Sequence, residues 1–142
     1  MYDLKGKKLK QICKNGYFGQ IVGKYIAIQT ISSSGKSGMT LYRKSDGQKI
    51  KTITSNCSYY EFIDNTFYYV EPIAEFKYKI KSYNIEKKKT ITYGTIKANE
   101  FGAITSKYLY YSNGPMIGEC KYYKYSFAKK KSIRITEEAF QY

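Results

Sequence analysis

Gly35-Lys36-Ser37 has the last three residues of a phosphate-binding loop, G-x-x-x-x-G-K-[ST], so nucleotide chemistry is the first to test. Such a loop needs a glycine five positions upstream and a helix behind it, whose free N–H groups hold the phosphate. Here the upstream position is Thr30, and a strand pattern follows instead of a helix. Ser33 and Lys36 also match the S-x-x-K spacing of a serine nucleophile and its lysine base, again with no helix to align them. The segment reads as a flexible loop.

Other chemistries lack their residues. The chain holds no histidine, which removes Ser-His-Asp and Cys-His relays together with the commonest metal ligand. Cys13, Cys57 and Cys120 are odd in number and show no C-x-x-C spacing. Neither a disulfide framework nor a zinc site follows, and isolated, partly buried thiols are expected. No catalytic residues, no metal and no cofactor are assigned, and the chain is not expected to be an enzyme. Asn56-Cys57-Ser58 is a glycosylation sequon that matters only in a chain secreted by a eukaryote.

Lysine is the side chain present in quantity. Lysine and arginine total 25 against 11 acids, a formal charge of +14, and the only arginines are Arg43 and Arg134. Such a charge attracts nucleic acid, anionic lipid or acidic polymers. Specific nucleic-acid readers favour arginine, whose planar fork grips phosphate and guanine in two places. Abundant Lys, Ile, Tyr and Asn also fit the drift of an AT-rich genome. Clusters fall at Lys5, Lys7 and Lys8, at Lys49, at Lys87, Lys88 and Lys89, and at Lys129, Lys130 and Lys131. The last two clusters are the candidate polyanion-binding residues. The competing reading, preferred here, is that lysine at an outer hairpin keeps an exposed sheet edge from pairing with another chain.

The elements that carry these residues emerge from self-comparison. Tyr83 to Ile91 recurs 42 residues later as Tyr125 to Ile133, and Tyr42 to Ile50 is the same segment 41 residues earlier. Upstream blocks at 24–28, 66–70 and 107–111, and at 18–21, 60–63 and 101–104, complete three units of four short strands, a to d. That alignment puts Tyr25, Phe67 and Tyr108 at one position, and Ile21, Ile63 and Ile104 at another. In strand c of the second unit Phe76, Tyr78 and Ile80 alternate with Lys77, Lys79 and Lys81, the period-2 signature of a strand. Gly23-Lys24, Asp64-Asn65 and Ser106-Lys107 mark the a–b turns. Ser45-Asp46-Gly47 and the two triple-lysine segments mark the c–d turns. An aromatic share of 18%, with 18 tyrosines, suits half-buried pleated surfaces. No helix longer than two turns is expected.

Leu41-Tyr42-Arg43-Lys44-Ser45-Asp46-Gly47 and Tyr110-Tyr111-Ser112-Asn113-Gly114 resemble the TolB-like and YWTD-like β-propeller repeats of bacteria, although the YWTD tetrad itself is absent. The resemblance runs over essentially the whole chain. It implies an all-β fold of propeller-type blades and a scaffold for binding proteins or glycans. Propeller glycosidases place acids on the inner strands of several blades. The matching positions here are Gly19, Glu61 and Gly102, so one acid stands where two or three should converge. Glu61 reads as a solvated strand residue.

The expected layout is one repeat domain over 1–142: a partial blade at 1–13, blades at about 17–54, 59–96 and 100–136, and the start of a further strand at 139–142. Three blades do not close a ring, so self-assembly or further blades of a larger chain are expected. The expected function is a non-catalytic interaction module that binds a protein or polymer ligand through its variable b–c loops. These are 31–38, 71–75 and 112–119, and the candidate ligand-binding residues on them are Ser33, Lys36, Glu71, Asn113 and Met116. A basic surface for nucleic acid or an anionic cell-wall polymer is the alternative, and a fragment of a glycan-processing propeller comes third. No apolar run is long enough to span a membrane. If Met1 is the native start, the cytoplasm is the expected compartment.

Overall fold

Alternation and turn chemistry dictate strands throughout, and the computed structural model, which describes residues 11–114 and 119–136, contains twelve of them and no helix among those residues. The first four-stranded sheet is β1 (Gly16–Val22), β2 (Tyr25–Ile31), β3 (Ser37–Arg43) and β4 (Lys49–Thr54). The second is β5 (Tyr59–Ile63), β6 (Thr66–Ala74), β7 (Lys77–Asn84) and β8 (Lys89–Lys97). The third is β9 (Glu100–Ile104), β10 (Tyr108–Asn113), β11 (Lys121–Ser126) and β12 (Lys131–Ile135). Every pairing is antiparallel and strand order follows the chain, so each sheet is a simple meander. The chain divides into two compact units, Met1–Asn56 with the first sheet and Cys57–Tyr142 with the other two. Residues 1–10 of the partial blade expected at 1–13, and the strand start expected at 139–142, lie outside the described residues.

The turns repeat as closely as the strands. The c–d turn places Gly47, Lys88 and Lys130 in the left-handed region, at φ 71°, 52° and 50°. The a–b turn does the same with Gly23 at 57° and Asp64 at 51°. A backbone bond recurs from the residue after each c strand to the a–b turn: Lys44 N–H to the Lys24 carbonyl, Ile85 to Asn65, Phe127 to Lys107. Asn84 Oδ1 accepts from the Lys87 N–H at 2.8 Å, and Ser126 Oγ from the Lys129 N–H at 3.2 Å. A short polar side chain two or three residues before the tip thus closes each lysine turn.

These ladders correct three expectations. The a and b strands of the second sheet were aligned one residue out. Tyr25 pairs with Arg43, Thr66 with Asn84 and Tyr108 with Ser126, so Thr66, not Phe67, matches Tyr25 and Tyr108. By the same register Phe62, not Ile63, matches Ile21 and Ile104, and Tyr60, not Glu61, matches Gly19; in the third sheet an irregularity skips Gly102 and puts Phe101 at that place. A one-residue slip sends side chains to the opposite face. Second, Phe76 is not part of the strand alternation: it sits in the two-residue β6–β7 turn with φ 53° and is exposed. Third, Glu71 and Pro72 lie inside β6, and Ser112 and Asn113 inside β10, so they are strand residues and not loop.

In the second unit the two sheets pack face to face. Val70, Ile80 and Ile96 meet Ile104, Leu109, Tyr111, Tyr125 and Phe127 in one buried cluster. Aromatic pairs cross the layer: Tyr59 stacks on Phe101 at 5.5 Å between ring centroids, Tyr68 on Phe127 at 5.0 Å, and Tyr78 meets Phe101 edge-on at 4.9 Å. Gly94 is required at its place, because a Cβ there would lie 2.7 Å from the Tyr125 hydroxyl.

Candidate functional site

The first sheet carries an open cleft of about 430 Å³ within its own unit. Its walls come from the segment before β1 (Ile12, Cys13, Lys14, Asn15), the end of β2 and the following loop (Thr30, Ile31, Ser32, Lys36), Thr40 and Tyr42 of β3, and Lys49, Thr52, Thr54 and Ser55 of β4 and its end. Seven of these residues bear a hydroxyl, three bear an ammonium group, and none bears a carboxylate. Alternation explains the threonines: Thr40 and Thr52 are cross-strand partners, and their hydroxyls lie 3.4 Å apart. Gly38 keeps the floor tight, since a Cβ there would stand 2.8 Å from the Thr54 carbonyl and 3.2 Å from Thr30 Oγ1.

The β2–β3 loop is a closed turn. Ser32 N–H donates to the Lys36 carbonyl at 2.9 Å, while Ser32 Oγ accepts from the Lys36 N–H at 3.0 Å and pairs with Ser34 Oγ at 2.9 Å. These bonds fix the point from which the Lys36 side chain departs. Gly35 supplies the positive φ, 79°, that the turn requires. The segment that resembled a phosphate-binding loop is therefore a strand-to-strand connection. At the back of the cleft burial, and then the Cys13 thiol beside it, push the Tyr42 phenol up to about 12. Tyr42 therefore remains a neutral hydroxyl across the physiological range.

Of the residues singled out in the sequence, Lys36 lines this cleft. Ser33 is exposed in the same turn, and its neighbour Ser32 contributes to the wall instead. Glu71 belongs to the other unit, where its carboxylate accepts from Lys81 Nζ at 3.1 Å in a half-buried ion pair. Asn113 ends β10, paired with Lys121. Met116 lies outside the described residues. Ser33 and Lys36 thus belong to the first unit, and Glu71 and Asn113 to the second. Lys87, Lys88, Lys129 and Lys130 occupy the c–d turns of the second unit, and Lys89 and Lys131 begin β8 and β12; all six are exposed. Sequence reading missed Thr30, Thr40, Thr52, Thr54 and Ser55. Their signal is weak, because threonine is an ordinary strand residue.

Elsewhere the titratable groups are muted. Burial, then the charge of Glu71, pushes the Cys57 thiol up to about 11, which leaves it a poor nucleophile. Cys13, Cys57 and Cys120 are all free. Among the described residues no three His, Cys, Asp or Glu side chains stand together as a metal group. No helix there is long and apolar enough to cross a membrane. No family model and no curated protein matches the chain.

Proposed function

We propose that the chain is a non-catalytic interaction module built from propeller-type blades, and that its ligand enters the cleft over the first sheet. The observation that carries this reading is the cleft itself: about 430 Å³ of space walled by side-chain hydroxyls and ammonium groups. That volume lies within the range of small-molecule and sugar-sized sites. The walls offer donors and acceptors for binding but no histidine or carboxylate to move a proton. The blade reading is supported by three sequential four-stranded antiparallel meanders. Rings of this kind need four or more blades, so the proposal includes further blades, from a second copy or a longer chain.

The test is a panel of neutral and charged polymers, glycans and oligonucleotides offered to the intact chain and to Thr52→Trp. Thr52 is exposed on the cleft wall, so an indole there fills the space without entering a core. Binding by the wild type that Thr52→Trp loses supports the cleft. Equal binding by both proteins would move the site elsewhere, with the lysine turns of the second unit next in line.

A further inference from the structure

We propose that the cleft selects a sugar carrying a phosphate or sulfate group; this rests on the cleft being the binding site. Lys14, Lys36 and Lys49 reach it from three separate segments, the strand leader, the β2–β3 loop and the start of β4. None of the three has a carboxylate partner among the described residues, where the ion pairs are Arg43–Asp46 and Lys81–Glu71. Three like charges around one open space repel each other when it is empty, and an oxyanion relieves that repulsion. Lysine suits the task as a compact point charge that binds a phosphate oxygen from any direction. The guanidinium of the same unit is committed elsewhere: Arg43 donates to Asp46 Oδ2 at 2.8 Å and to Gln48 Oε1 at 3.1 Å.

The hydroxyl walls point to the carrier. Among the described residues Thr30, Thr52 and Ser55 give their hydroxyls to no protein group beyond the Thr40–Thr52 contact, which leaves them to a polyhydroxylated ligand. A nucleobase needs an aromatic face on which to stack. The one aromatic residue of the lining is Tyr42, and at 8% exposure its ring is not offered to the cleft as a platform. Phosphate and sulfate present the same tetrahedral oxyanion, and only experiment separates them.

The experiment is calorimetric titration of the full chain with glucose, glucose 6-phosphate, glucose 6-sulfate, inorganic phosphate, inorganic sulfate and a short oligothymidylate. Each is measured at low and at high salt. At least one charged sugar is expected to bind about tenfold or more tighter than glucose, with the advantage shrinking as salt rises. Lys36→Gln and Lys49→Gln should each weaken it about tenfold, the usual loss for a charge-assisted hydrogen bond. Lys36→Arg should keep the affinity within about threefold, since it keeps the charge. All these positions are exposed, and unchanged melting curves will show that the variants fold. Glucose binding as tightly as its phosphate, yet lost in Thr52→Trp, would overturn the anion selectivity and leave the cleft as the site. Charged-sugar binding unmoved by Thr52→Trp would overturn the cleft itself. Tighter binding of the oligothymidylate through the same lysines would overturn the sugar carrier, and no binding of any probe would overturn the proposal.

Discussion

The central strand pairs of the first and third sheets share one backbone register and put opposite chemistry on the same face. Ile28, Thr40, Tyr42 and Lys44 of the first correspond to Tyr111, Tyr123, Tyr125 and Phe127 of the third. In the third sheet that face is packed against the second: Tyr111, Tyr125 and Phe127 are buried, and Tyr123 packs against the same cluster. In the first sheet only Tyr42 of the four is buried hydrophobic core, Thr40 is a buried polar residue, and Lys44 is exposed. Turn chemistry and period-2 alternation build the frame in both. What the frame does, close against a neighbouring sheet or hold open a polar cleft, depends on a few side chains between the turns.

The largest test of that contrast is Phe127→Ala against Lys44→Ala. Phe127 stacks on Tyr68 and meets Tyr93 at 4.8 Å between centroids, so truncation should cost about 3–5 kcal/mol. Lys44 is exposed and its truncation should stay within about 0.5 kcal/mol. Urea unfolding measures both. Comparable losses would mean that the two faces are not different in kind.

Alkaline titration sharpens the same comparison at Tyr42 and Tyr125. Burial raises both phenols, and in Tyr42 the Cys13 thiol adds to the rise. An unfolded tyrosine loses its proton near pH 10, while folded Tyr42 keeps its own to about 12. Between those values the unfolded chain binds fewer protons than the folded one, so stability falls as pH climbs through the window and is untouched below it. Tyr42→Phe should remove part of that fall. Cys13→Ala should lower the Tyr42 titration and leave Tyr125 where it is, as followed by tyrosinate absorbance. A shift in Tyr125 instead would show that the two sites are not independent.

A smaller effect separates the turns. Gly47, Lys88 and Lys130 share a left-handed conformation, which costs an L-residue about 1 kcal/mol and glycine almost nothing. Lys130→Gly should therefore stabilise by about 0.5–1 kcal/mol. Gly47→Ala should destabilise by about 1 kcal/mol or more, because its Cβ would also press to 3.3 Å from Ile12 Cγ1. Thermal melting distinguishes the signs, and a destabilised Lys130→Gly would mean that the lysine side chain holds its turn.

The c–d turns were legible in the sequence because glycine and lysine punctuation fell in phase with Tyr42, Tyr83 and Tyr125. The a–b strands of the second sheet were not. Around Phe62, Ile63, Phe67 and Tyr68 every residue is aromatic or branched or flanks one, so an alignment shifted by one scores as well as the true one. Only the ladder, Thr66 opposite Asn84, decides between them. Of the candidate ligand-binding residues read from the sequence, Lys36 marks the cleft. Thr40 and Thr52 face each other across strands whose pairing shifts twice, on either side of Thr40 and Leu41. No spacing rule on a single strand reveals that neighbourhood. Glu71 misled for the opposite reason: Pro72 suggested a loop, yet β6 runs through it to Ala74, with an irregularity between Pro72 and Ala74.

The smallest expected effect is also the one that divides two accounts of the protein's charge. Lys87, Lys88 and Lys89 are exposed in and after the β7–β8 turn, and none is in an ion pair among the described residues. Reversing all three to glutamate changes the net charge by six yet removes no packing, so stability should move by about 0.5 kcal/mol or less. The φ of 52° at Lys88 is equally unwelcome to glutamate, which keeps the backbone cost unchanged. If the +14 charge acts as a diffuse field over the turns, binding of a long polyanion must weaken sharply and its salt dependence must flatten, because fewer counterions are released. If the lysines of the cleft do the selecting, a short charged sugar should bind the triple variant within about twofold of the wild type, because none of the three substituted lysines lines the cleft. Titrating both probes into the same variant separates the accounts: loss of the polymer with retention of the sugar assigns the turns a steering role, and loss of both would dissolve the distinction between cleft and surface.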